Sequence, residues 1–167
     1  MAANAGGQIN YYQKLIEWRD IERQRKKDGL LVVKGKDLPL ENNPQGLMRW
    51  YMHPAMDNLS MKSMNVYVQE IPPGGYSGRL KVPGGIIIYI WAGRGHTILD
   101  GVRYDWKADD VLNIPNRPDG CAVQHFNDDA ETTVKLLVVE ANLIGAIGVD
   151  RGPGFEQLAP SSHYDQD

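Results

Sequence analysis

The stretch GGYSGRLKVPGGIIIYIWAGRGHTILDG, residues 74–101, decides the fold. Its apolar run from Ile86 to Ala92 has the length of one buried strand and is far too short to span a membrane. Gly93-Arg94-Gly95 follows as a tight turn between strands. It opens no helix, so it lacks the anion-binding geometry of a phosphate loop. His96-Thr97-Ile98-Leu99, the pair Asp100-Gly101 and Val102-Arg103-Tyr104-Asp105-Trp106 then read as a hairpin. Asp-Gly supplies the positive φ angles that a two-residue type I′ turn demands.

Working outward, residues 111–114, 123–126 and 133–140 are further strands, with Val134, Leu136 and Val138 on one side of the last. Upstream, residues 64–71 alternate imperfectly and stop at Pro72-Pro73-Gly74-Gly75. Residues 30–33 and 47–53 are also strand-like, separated by the turn-rich Glu41-Asn42-Asn43-Pro44-Gln45-Gly46. Many short strands punctuated by Gly and Pro argue for an all-β, closed or double-sheet antiparallel barrel. Residues 10–27 predict a helix with a partial apolar stripe of Tyr12, Leu15, Ile16 and Trp18. Its basic cluster, Arg23, Arg25, Lys26 and Lys27, sits at the negative end of the helix dipole, and Gly29 is placed to end it. From Asp150 onward, Gly152-Pro153-Gly154 and the polar end predict an extended arm. The expected division is an N-terminal helical and extended extension (residues 1–45), a barrel (46–145) and a C-terminal arm (146–167).

The spacing within residues 74–127 resembles that of the cupins, over about a third of the chain. The first cupin motif reads G-x5-H-x-H-x3-E-x6-G, and Gly74 and Gly93 stand at its two glycines. Pro118, Gly120 and Asn127 match the later half of the second motif, G-x5-P-x-G-x2-H-x3-N; its earlier half fits only with an insertion and with Asp109 at the opening glycine. The surrounding text, from Trp91 to Gly101 and Gln124-His125-Phe126-Asn127, resembles small cupins related to gentisate-type ring-cleaving dioxygenases. The resemblance implies a cupin double-stranded β-helix, a jelly-roll barrel.

Where the family pattern carries its metal ligands, this chain has Leu80, Val82, Ile86 and Val123. A mononuclear site needs three or four converging lone-pair donors, and aliphatic side chains have none. No metal and no other cofactor is therefore expected. Residues two apart on a strand share a face, so Leu80 and Val82 turn inward while Lys81 faces out. Buried together, each aliphatic side chain contributes roughly 1.5–3 kcal/mol, and the metal cavity becomes a filled plug or an apolar pocket.

Composition narrows the partners. At 167 residues the chain is one domain's length, and a net charge of −3 with mixed signs provides no basic field for nucleic acid. Cys121 is the only cysteine, which excludes an intrachain disulfide framework. The N-terminus lacks the basic start and apolar run of a secretory signal, so a cytoplasmic location is expected, with no membrane association.

His125 shares the parity of Val123 and is the first candidate for a functional group; Tyr89 and His53 are the others, each placed at the barrel mouth. Gln124 joins His125 and the four aliphatic residues as the expected ligand pocket. His96 reads as a surface or subunit-contact residue, and His163 lies in the polar tail. Two classes of function follow, with a third beside them. The first is a non-catalytic structural or ligand-binding subunit, a homodimer or a hetero-oligomer with enzyme subunits. The second is a dioxygenase-like enzyme, or a metal-independent isomerase or lyase, acting on a small aromatic or organic acid. The third is a sensor whose open barrel takes an aromatic or apolar ligand.

Overall fold

The computed structural model describes residues 9–142 and 155–164. Its strands are β1 (Glu41–Asn43), β2 (Gly46–Met52), β3 (Met64–Ile71), β4 (Arg79–Val82), β5 (Ile86–Ala92), β6 (Arg94–Leu99), β7 (Val102–Lys107), β8 (Val111–Ile114), β9 (Cys121–Asn127), β10 (Val134–Ala141) and β11 (Glu156–Ala159). They form two antiparallel sheets, ordered β1-β2-β3-β10-β5-β8 and β11-β4-β9-β6-β7. Period-two alternation gives each sheet one apolar face. On β9, Cys121, Val123, His125 and Asn127 are buried and the residues between them are not; on β10, Val134, Leu136 and Val138 are buried. The two faces close on one apolar core that includes Met48, Ile71, Val82, Ile90, Leu99, Ile114 and Leu136. Strand spacing predicts the two antiparallel sheets and the cupin resemblance implies the jelly roll that they form; among the described residues one α-helix precedes them.

The hairpin at residues 96–106 forms as expected, with Leu99 opposite Val102. Asp100 and Gly101 take φ of 48° and 85°, the left-handed pair that a type I′ turn requires. Helix α1 (Tyr11–Asp28) starts at Asn10, whose side chain accepts from the Gln13 N–H, and ends at Gly29, whose N–H reaches the Arg25 carbonyl. Its apolar residues do not pack: no side chain of α1 is buried. Among the described residues no helix is long and apolar enough to cross a membrane.

Two expectations are corrected. Residues 30–33 form no strand: Leu30 makes one isolated bridge to Leu59, and Leu31 and Val32 are exposed. No sheet edge is offered to that run, and apolar character alone does not make a strand. The polar residues 41–46, read as a turn alone, instead supply both an edge strand and its turn. Glu41 pairs with Met48 and Asn43 with Gly46, and the Asn43 side chain accepts from the Gln45 N–H. An edge strand needs backbone pairing more than apolar side chains, which explains why composition concealed it.

The imperfect alternation of β3 also has a cause. Val68 lies on the outer face yet is buried, because its cross-strand neighbour Arg49 donates to the Leu38 carbonyl at 2.8 Å and draws the preceding segment over the sheet. From the expected C-terminal arm, residues 156–159 add to the edge of the second sheet, against β4; Gly152-Pro153-Gly154 lies outside the described residues. Cys121 is fully buried, its thiol directed at the Pro115 carbonyl, and burial raises its pKa.

Asn127 joins the loops at one end. Its amide shares two N–H groups among the carbonyls of Ile71, Pro72 and Thr132, at 2.8–3.0 Å, and its oxygen accepts from the Asp129 N–H. Asn127→Ala strands these buried carbonyls and is expected to cost about 3 kcal/mol in urea unfolding. A loss under about 0.5 kcal/mol would show the loops hold without it.

Candidate functional site

Leu80, Val82, Ile86 and Val123, the expected apolar lining, belong to one core or pack against it. Leu80 pairs with Val123 and Val82 with Cys121 across β4 and β9, while Ile86 begins β5 opposite Ile114. Val82, Ile86 and Val123 are buried in the core and Leu80 packs against it half-buried. None of the four has a lone pair to offer, so these residues do not fit a metal ion.

Polar groups do reach the inner face, and His125 is one. It is buried, and its Nδ1 lies 2.7 Å from the Thr97 hydroxyl. Trp106 Nε1–H donates to the same hydroxyl at 2.9 Å. An indole can only donate, so the Thr97 proton is free to point at His125 Nδ1, which then accepts. That places the imidazole proton on Nε2, for which the described residues offer no partner. Burial lowers the His125 pKa to about 4, so the ring is neutral near pH 7. The backbone of His125 is held as firmly: its N–H donates to the Ser77 hydroxyl and its carbonyl accepts from the Ser77 N–H.

A second polar group was not anticipated. Glu140 continues the inward parity of Val134, Leu136 and Val138, and it stands directly opposite Ile86 on one side and Asn65 on the other. The Asn65 amide donates to the Glu140 carboxylate at 2.8 Å, and burial raises the Glu140 pKa. Asn65 Oδ1 is buried without a partner. Tyr67, on the same face, is buried, and its pKa is raised well above the usual phenol value, by burial first and then by Glu140. The signal was present in the sequence: extending the alternation of residues 134–138 by one more step lands on Glu140.

The remaining candidates lie elsewhere. Tyr89 is on the outer parity of β5 and its hydroxyl donates to Asp109 at 2.8 Å. Gln124 is on the outer parity of β9 and donates to the Ser77 carbonyl, so it does not share a face with His125. One-residue alternation forces both outward. His53 follows β2, where its Nδ1 accepts from the Ala55 N–H and its ring meets the edge of Trp50 at 5.1 Å. His96 stacks on Phe126 at 4.6 Å and binds Asp128. Potential ligand atoms of His96, Asp105 and Asp128 lie within 4.8 Å of one another. Arg103 already bridges the two carboxylates there, so a guanidinium holds the place of a cation. The tail residue His163 meets Ser162 on the surface.

This architecture, two antiparallel sheets closed face to face around inward-pointing alternate residues, is the cupin fold. Solved structures agree. A predicted oxalate decarboxylase from Thermotoga maritima superposes with a TM-score of 0.54, at 24% identity over 65% of this chain and 96% of that one. The polyketide cyclase RemF from Streptomyces resistomycificus gives a TM-score of 0.59, at 16% identity over 80% of this chain and 88% of that one. The cupin domain of Schizosaccharomyces pombe Cnp3 gives 0.52, at 15% identity over 74% of this chain and 84% of that one. At these identities the likeness is one of fold. Neither a protein-family model nor a curated protein matches the chain.

His125 makes stability depend on pH. Its folded pKa of about 4 lies below the ordinary 6.5, so the unfolded chain binds the proton first. The contribution is complete above pH 6.5 and is lost as pH falls toward 4, by about 3 kcal/mol in all. Glu140, with its raised pKa, pulls the opposite way. Comparing the native chain with His125→Asn in urea unfolding at a series of pH values isolates the histidine: the variant is expected to lose stability less steeply over that window. Parallel slopes would place His125 in solvent.

Proposed function

We propose that this chain is a metal-free cupin acting as a non-catalytic ligand-binding or structural subunit of a larger assembly that handles small aromatic or organic acids. The observation that carries this reading is the aliphatic set Leu80, Val82, Ile86 and Val123, packed into one core at the positions where the family's metal ligands stand. The sequence likeness of residues 91–101 to gentisate-type cupins supplies the substrate class. Around that apolar wall, His125 Nε2–H, the Tyr67 hydroxyl and the Glu140–Asn65 pair provide neutral or protonatable hydrogen-bonding groups. Apolar walls with a few polar groups suit an aromatic ring bearing hydroxyl or carboxyl substituents.

One observation favours a second reading. A half-buried carboxyl whose pKa burial raises, opposite Ile86 and within electrostatic reach of Tyr67, is the kind of group that serves as a general acid or base. On this reading the chain is a metal-independent isomerase or lyase with Glu140 as its acid or base.

Elemental analysis of the chain purified without added metal is expected to find far less than one equivalent of iron, manganese, nickel or zinc. A full equivalent, retained after dialysis against chelator, overturns the metal-free reading. Hydroxybenzoates and simple phenols are then titrated against intrinsic fluorescence, with turnover followed in parallel. Binding without turnover supports the subunit role. Turnover that falls about 100-fold or more in Glu140→Gln, with binding kept, establishes the enzyme instead.

A further inference from the structure

Helix α1 is apolar where nothing covers it. Tyr11, Tyr12, Leu15, Trp18 and Ile21 are 62–73% exposed. The spacing of Tyr11, Leu15 and Trp18, i, i+4 and i+7, lines them along one stripe, with Tyr12 and Ile21 on its flanks. The helix is fastened at its C-terminal end, where Arg25 Nη1 donates to the Leu59 carbonyl at 2.7 Å and the Leu30 N–H to the Asn58 carbonyl at 2.8 Å. Arg25 continues the face of Tyr11, Leu15 and Trp18, so the exposed apolar residues occupy the turns of that face N-terminal to the anchor.

The same chain leaves a second apolar strip open. On the outer face of the six-stranded sheet, Ile87 and Trp91 of β5 and Val111 of the edge strand β8 are 44–62% exposed. Tyr89 lies between them, in register with Val111. Isolated apolar residues on a surface need no explanation, but two contiguous strips on one chain do.

We propose that two copies of this chain pair by laying helix α1 of each across the β5–β8 outer face of the other. One twofold operation covers both strips at once, which is the economy of an isologous dimer. At the exposures above, the five helix side chains present on the order of 700 Å² and the sheet strip roughly 300 Å². Together they exceed the ~800 Å² per partner of a standard stable interface. Charge agrees with the pairing. Arg23 and Lys26, beside the stripe, have no ion-pair partner among the described residues, and Asp109 and Asp110 stand at the end of the sheet strip leading into β8. The pairing is independent of what the barrel interior binds.

Sedimentation of the full chain at micromolar concentration tests it, with Trp18→Lys and Trp91→Lys as the two probes. Both residues lie on the surface, and unchanged circular dichroism will show that the variants fold. The native chain is expected to sediment as a dimer, and each variant is expected to weaken the dimer by about 30-fold or more, the scale of losing a central aromatic anchor. A native chain that is monomeric overturns the proposal, as it would if the helix folded back on its own sheet or awaited a different protein. A dimer that resists both substitutions, or that only one of them disrupts, overturns the helix-on-sheet geometry.

Discussion

Strand β9 has neighbours on both sides, β4 and β6, and its four inward side chains serve four different purposes. Cys121 fills the core near Ile114, Val123 closes the aliphatic set, His125 anchors the Thr97–Trp106 chain and Asn127 ties the loops. A slip of one residue would turn all four to the outside and bring Ala122, Gln124 and Phe126 in. The rest of the structure depends on that register. Ser77 enforces it from a loop, bonding the His125 backbone in both directions so that the strand cannot slide past it.

The parity rule made much of the interior readable from sequence. Val82, Val123 and His125 were placed by counting in twos, and the Asp100-Gly101 turn by the φ angles its residues allow. Counting failed where it stopped early or where backbone pairing alone made the structure. Glu140 lies one step beyond Val138 in the same alternation, and Asn65 reads as a boundary because a polar residue stands at a strand end. Strand β1 was invisible for another reason: Glu41, Asn42 and Asn43 pair through their backbones, which composition does not report. Tyr89 and Gln124 show the opposite error. Both were chosen for their chemistry, although each sits one residue out of phase with the inner face.

The interior combines two environments that rarely adjoin. An aliphatic wall of Val82, Ile86 and Val123 lines the core, while a carboxyl that burial pushes toward its neutral form stands one strand away, opposite Ile86. Its pairing with Asn65 leaves one amide oxygen buried and unsatisfied, a cost of about 1–3 kcal/mol that a water or ligand donor would relieve. The core thus keeps a polar corner beside its hydrocarbon wall.

The burial of Cys121 has a practical side. Because the chain's only thiol is shut inside the core, with its ionisation suppressed, maleimides and similar reagents will pass the folded protein by. A cysteine introduced on the surface would be the sole reactive one, which makes the native chain a ready background for attaching a single spectroscopic label at any chosen point on the helix or the sheet.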